Sequence, residues 1–179
     1  LIFLILNIYF INNIMKCSTN DERLASFATK EAWRSTLPMK HGCIAVCGGK
    51  IVAKGCNNYR TFSKDGLIEN CCSCHAEVDV LRKCIKQNVK SKINLYVVRI
   101  SDKGEYRNSA PCNKCVSLLK QHNVKMIIYS TDEGLLRKCK LIHYHNTHET
   151  GGEKAILHKR VSSKHMGNYI LFRDNLQHL

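Results

Sequence analysis

Acidic residues are scarce in this 179-residue chain: 14 Asp and Glu stand against 28 Lys and Arg, for a formal net charge of +14. The excess is concentrated in residues 80–140, which hold 14 Lys and Arg against 4 Asp and Glu. Such an imbalance favours a phosphate-bearing partner, although charges of this kind also simply solvate a surface. No internal repeat and no low-complexity tract interrupts the chain, so at this length one domain is the simplest organisation. A membrane-spanning run is missing too. The opening "LIFLILNIYFINNIM" is apolar and uncharged, but Asn7, Asn12 and Asn13 break it, and no basic residue precedes it. It also falls short of the roughly 20 residues that cross a bilayer. A signal peptide and a membrane anchor are therefore both poor fits, and no membrane partner is expected. Since the chain opens on Leu1, translation is expected to start at Met15, with residues 1–14 an upstream or disordered apolar extension and 15–179 the single domain.

Cysteine is abundant instead, at 11 residues. An odd count, clustering at metal-ligand spacing and the lack of an export signal speak against a disulfide framework. A reducing, cytoplasmic setting is the expectation.

The hydrophobic pattern predicts the elements. "NDERLASFATKEAWRSTL" places Leu24, Phe27, Ala28 and Ala32 at helical spacing behind a cap at Asn20, giving a helix over about 21–35 that Pro38 ends. "GCIAVCGGKIVAKGC" reads as two strands joined at Gly48-Gly49, a dipeptide suited to a tight hairpin turn. A polar loop over 57–73 leads into a helix from about 74 to 87 with a buried stripe of Val78, Leu81, Cys84 and Ile85. "INLYVVRI" is a strand, "CNKCVSLLKQH" a helix burying Cys115, Val116 and Leu119, and "VKMIIYS" another strand. "TDEG" reads as a turn after which "LLRKCKLIHY" returns antiparallel, with a crossover helix as the alternative. Farther on, "THETGGEKAILHKR" suggests a short helix and "NYILF" a strand.

Two cysteine clusters fall at helix amino ends, where exposed N–H groups and the helix dipole lower the cost of a thiolate. Two ligand sets can be written. Cys71 and Cys74 with Cys112 and Cys115 would make a closed four-thiolate structural zinc site. Alternatively His75, Cys112 and Cys115 supply three ligands, a fourth position stays open, and Glu77 stands two residues from His75 as a proton carrier, which describes a hydrolytic site.

"HAE" at 75–77 and "PCNKC" at 111–115 match the H-x-E…P-C-x-x-C signature of zinc deaminases. The match extends to context, because over about residues 21–140 the chain resembles the cytidine and deoxycytidylate deaminase family: a leading helix, "GKIVAKGCN", "CHAE" and "PCNKC" each opening a helix, then "VKMIIYS". The resemblance implies zinc as cofactor, held by His75, Cys112 and Cys115, with Glu77 as the catalytic acid and base rather than a ligand. It implies that Asn57 recognises the nucleoside or nucleotide, and that the Ala76 N–H and the Ala110 carbonyl contact the pyrimidine edge. Cys71 and Cys74 become bystander thiols. Where deoxycytidylate deaminases usually continue "HAExNAI", this chain has Asp79 and Val80, which either alter the pocket floor or repack it.

Other residues have plainer readings. His143, His145 and His148 suggest a second metal less well than they suggest a solvated surface. Trp33 reads as core or subunit contact, and Cys43, Cys47 and Cys56 as small hydrophobes on the hairpin. Tyr59 and Arg60 are candidates for the pocket mouth. The expected fold is an α/β three-layer sandwich of the cytidine deaminase type, a mixed sheet of about five strands with helices on both faces and the two zinc helices together on one of them. The expected function is zinc-dependent hydrolytic deamination of a free cytosine nucleoside or nucleotide by a homo-oligomer. A transfer-RNA adenosine deaminase is the enzymatic alternative and a four-cysteine module binding nucleic acid the non-enzymatic one.

Overall fold

Helix α1 (Thr19–Ala32) opens on Ser18, whose hydroxyl accepts from the Asp21 N–H while the Asp21 carboxylate accepts from the Ser18 N–H. This reciprocal cap starts the helix before the position expected from Asn20, whose side chain accepts from Arg23 instead. The fold is seen in a computed structural model that describes residues 15–160. Strands β1 (Lys40–Cys47) and β2 (Lys50–Cys56) form the expected antiparallel hairpin. Gly48 and Gly49 turn it with φ of 54° and 78°, the left-handed pair that a two-residue turn requires. Helix α2 (Ala76–Lys86) follows, then β3 (Ile93–Ile100), a short β4 (Tyr106–Arg107), helix α3 (Asn113–Lys120), β5 (Val124–Ser130) and β6 (Leu136–Lys140). A 3-10 turn at Leu141–His143 leads to α4 (Gly151–Leu157).

The sheet runs β2-β1-β3-β5-β6, with β4 paired to the end of β3. β3 and β5 are parallel and joined through α3, whereas the other pairings are antiparallel. β6 therefore returns antiparallel on β5 after the "TDEG" turn, and no crossover helix intervenes. "INLYVVRI" is apolar almost throughout because β3 is the central strand and is covered on both faces. Tyr96 and Val98 pack with Leu24, Ala28, Ile44 and Ile128 under α1, while Leu95 and Val97 pack with Val80, Leu81, Val116 and Leu119 under α2 and α3. The three-layer arrangement is the expected one. Gly42 lets α1 lie directly on β1, since a Cβ there would come within 2.0 Å of the Ala28 carbonyl oxygen.

Two local expectations need correction. The buried stripe of α2 is Ala76, Val80, Leu81 and Cys84, not Val78 and Ile85, because the helix turns its first residue inward against the sheet and Ile85 ends 43% exposed. Trp33 is 49% exposed at the end of α1, so it is not a core residue. Of the two readings of Asp79 and Val80, Val80 follows the repacking one and lies in the core, while Asp79 covers Gly55 of β2 and pairs with Lys83 at 2.7 Å. The expected strand at "NYILF" and the expected extension at 1–14 lie outside the described residues. Among the described residues no helix is long and apolar enough to cross a membrane.

Candidate active site

The site forms where the loop after β2 meets the starts of α2 and α3. Asn58 and Cys74 exchange backbone hydrogen bonds of 3.0 and 2.9 Å, which fixes the approach to α2. The Arg82 guanidinium clasps the Asp65 carboxylate at 2.8 Å and ties the intervening loop to α2. His75 is the N-cap residue of α2 but makes no side-chain cap bond, so its ring is available elsewhere. Cys112 is the N-cap of α3, and its sulfur accepts from the Cys115 N–H at 3.5 Å. His75 Nδ1 thereby lies 3.1 Å from Cys115 Sγ and 3.5 Å from Cys112 Sγ. Among the described residues these three make up the group that could hold a metal ion, with donor atoms within 4.8 Å of one another.

The three donors shift one another's affinity for protons. Burial would lower the His75 pKa, but the Cys112 sulfur and the Glu77 carboxylate outweigh it and push it up to about 9. The hydrogen bond from the Cys115 thiol, helped by His75 and opposed by burial, brings Cys112 down to about 6. Cys115, the donor of that bond and fully buried, is raised. The donor set fits zinc. With bonds of about 2.3 Å to sulfur and 2.0–2.1 Å to nitrogen, a tetrahedral ion separates N and S ligands by about 3.5 Å, close to the spacings seen here. One imidazole and two thiolates is also a ligand set of catalytic zinc, which keeps one position open.

Glu77 is 5% exposed on the first turn of α2, and its charge acts on His75, Cys112, Cys115 and His41. No hydrogen bond or ion pair holds its carboxylate among the described residues. Asn57 is buried, its amide N–H donating to the Met39 carbonyl at 2.7 Å and its amide oxygen accepting from the His41 N–H at 2.9 Å. Ala76 is fully buried behind His75, and Ala110 stands two residues before Cys112 with its N–H bound to Asn108 Oδ1. Cys71 and Cys74 are not in the metal-capable group. The Cys71 sulfur meets the Thr61 carbonyl and that of Cys74 the His75 carbonyl, and burial raises the Cys74 thiol to about 12. The four-thiolate arrangement is thus not the one the fold assembles, and His143, His145 and His148 form no metal-capable group among the described residues.

Two residues at the site were not singled out from the sequence. His41, at the start of β1, has its pKa lowered by burial, against the pull of the nearby Glu77 charge. Glu153, on α4, reaches Cys112 Sγ with Oε1 at 3.8 Å. A T-x-x-E capping box at Thr150–Glu153 was legible, but nothing local says that the box docks on Cys112.

A sequence model of the cytidine and deoxycytidylate deaminase zinc-binding region matches residues 18–131. The chain belongs to this deaminase family. Its cofactor is zinc, in keeping with the His75, Cys112 and Cys115 group. A sequence comparison with curated proteins gives no match. Among solved structures, cytidine deaminase from Burkholderia pseudomallei is similar at 18% identity and a TM-score of 0.52, covering 71% of this chain and 98% of that one. The dCMP deaminase of cyanophage S-TIM5, solved with dCMP and dUMP, gives 24% identity, 64% and 83% coverage and a TM-score of 0.49. RibD from Acinetobacter baumannii gives 22%, 64% and 31%, and 0.42. At these identities the structural likeness concerns the fold of the deaminase domain.

Proposed function

We propose that this deaminase hydrolyses the amino group of a free cytosine nucleoside or nucleotide (cytidine, deoxycytidine or dCMP), releasing ammonia and the uracil product. The observation that carries the reading is a buried, otherwise unbonded Glu77 carboxylate set against the His75, Cys112 and Cys115 donors. Zinc held by those three residues would supply the Lewis acidity that makes water nucleophilic near neutral pH. Glu77 takes the proton of the attacking water as oxygen bonds to the amino-bearing carbon and delivers it to the adjacent ring nitrogen. The water's second proton then passes through Glu77 to the amine, the carbon–nitrogen bond breaks, and ammonia leaves. Burial keeps bulk water from competing with these transfers. Asn57, the Ala76 N–H and the Ala110 carbonyl are assigned to the substrate, with Asn57 held rigid by its bonds to Met39 and His41. A reducing, cytoplasmic setting suits the 11 free cysteines.

Glu77→Gln tests the mechanism. The change keeps the size of the side chain and leaves the three donors intact, so zinc content and stability should hold while turnover falls by at least about a thousandfold. Retained turnover in a folded, zinc-replete variant would rule the mechanism out. Ammonia release from cytidine, deoxycytidine and their monophosphates, run beside folded transfer RNA, tests the substrate class; activity confined to the RNA would favour adenosine deamination instead.

A further inference from the structure

The face of the sheet under α2 and α3 runs out, at the end where the site forms, into a row of basic side chains. On β1, Cys43 and Ala45 belong to the cluster under α2 and α3, whereas Ile44 and Val46 belong to the one under α1. Side chains alternate along a strand, so His41 falls on the α2 and α3 face. On β3 the same rule carries Leu95 and Val97 on to Arg99. On β4, Tyr106 packs under α1, which leaves Arg107 on the opposite face. The register brings the three together: His41 lies opposite Arg99, and Arg99 opposite Arg107.

That row carries an unbalanced charge. Residues directly opposite in an antiparallel pair have Cβ atoms about 5 Å apart, and like charges so placed destabilise the pairing. Arg107 has a counter-charge in the Glu105 carboxylate at 2.7 Å. Arg99 is half-buried, yet among the described residues it makes no ion pair and no side-chain hydrogen bond. The row also adjoins the candidate site. The His41 N–H donates to Asn57 Oδ1 at 2.9 Å, and the Asn57 N–H donates to the His41 carbonyl at 3.1 Å. Two residues before Arg99, the Val97 carbonyl accepts from the Ser109 hydroxyl at 2.8 Å, which anchors the segment that leads through Ala110 to Cys112. The His41 pKa, lowered chiefly by burial, responds to the charges of Glu77, Arg99 and His75 together.

We propose that Arg99 is a specificity-determining residue that pairs with the phosphate of the substrate, so that the enzyme prefers a cytosine nucleoside monophosphate to the nucleoside. The inference rests on the deamination of a free cytosine substrate proposed above. A guanidinium offers two parallel N–H groups to two phosphate oxygens, and a phosphate seated there also offsets the repulsion between Arg99 and Arg107. A nucleoside gives Arg99 no such partner.

The test uses the full zinc-loaded chain and compares kcat/KM for dCMP with that for deoxycytidine, and for CMP with that for cytidine, in wild type, Arg99→Gln and Arg99→Lys. Wild type should favour the monophosphate by at least about 10-fold. Arg99→Gln should cut the monophosphate-to-nucleoside ratio by about 30-fold, and Arg99→Lys, which keeps the charge but not the fork, should fall between. A merely structural defect would lower both substrates together and leave the ratio in place. Arg99→Lys also serves if Arg99→Gln does not fold. Product binding gives a second readout: by calorimetry, dUMP should bind wild type at least about 10-fold more tightly than deoxyuridine, and the gap should close in Arg99→Gln. A wild-type ratio near one, or a ratio that neither substitution moves, overturns the proposal and leaves the free-cytosine reading intact. Turnover of none of the four substrates overturns that reading and the proposal with it.

Discussion

Asp21→Asn tests how α1 is fastened to the sheet. Asp21 is 2% exposed, and its carboxylate accepts from the Ser18 N–H at 2.8 Å, the Tyr96 hydroxyl at 2.8 Å and Lys138 Nζ at 2.9 Å. Burial alone would raise its pKa, but the Ser18 backbone, Lys138, Tyr96 and the Ser18 hydroxyl together bring it from 3.8 down to about 2. The folded value lies below the unfolded one, so the contribution is complete above the unfolded pKa and fades as pH falls toward about 2. A drop from 3.8 to about 2 corresponds to about 2 kcal/mol at neutral pH. Urea unfolding of wild type and Asp21→Asn should differ by about that amount at pH 7 and by about half of it at pH 3. Groups that titrate in both proteins cancel in the difference. A gap that is the same at both pH values, or absent at pH 7, would refute the argument that ionised Asp21 anchors α1 through Lys138 and Tyr96.

Gly42→Ala should destabilise the fold by at least about 3 kcal/mol in the same assay, because the new Cβ meets backbone atoms of Ala28 and Ala32 that cannot rotate aside. Wild-type stability there would mean that α1 does not rest on β1 as described. Cys71→Ser should leave zinc content, measured by metal analysis, unchanged, since its sulfur faces the Thr61 carbonyl and not the donor group. Loss of zinc from that variant would restore the four-thiolate arrangement.

Much of this was legible in the sequence where the signal is local. Gly48-Gly49 allows little but a tight turn, and the unbroken apolar run of β3 announces a strand covered on both faces. The spacing of His75, Cys112 and Cys115 could be read because ligand positions at helix starts leave a pattern within a few residues. The failures have the opposite character. Val78 and Ile85 lost their expected burial to Ala76, whose small side chain carries little hydrophobic signal but permits the closest approach to the sheet. Trp33 reads as core or subunit contact from its helical spacing, and its place at the end of α1 leaves it 49% exposed, which removes the core reading alone. His41 and Glu153 join the site through tertiary placement alone, and no neighbour in sequence marks either one.

His75 stands 37 residues from Cys112 and 40 from Cys115 along the chain, at the starts of different helices. An ion shared between them is therefore a cross-link as well as a cofactor, and the unfolded chain offers no comparable site. Thermodynamic linkage then writes the free zinc concentration into the stability of the domain: about 4 kcal/mol is added when zinc stands a thousandfold above its dissociation constant, and the gain shrinks tenfold step by tenfold step as zinc becomes scarce. Zinc starvation would thus do more than idle the enzyme. It would loosen the junction of α2 and α3 and leave a thiol-rich seam open to oxidation and proteolysis, so that the supply of one metal sets both the activity of each molecule and how many molecules survive.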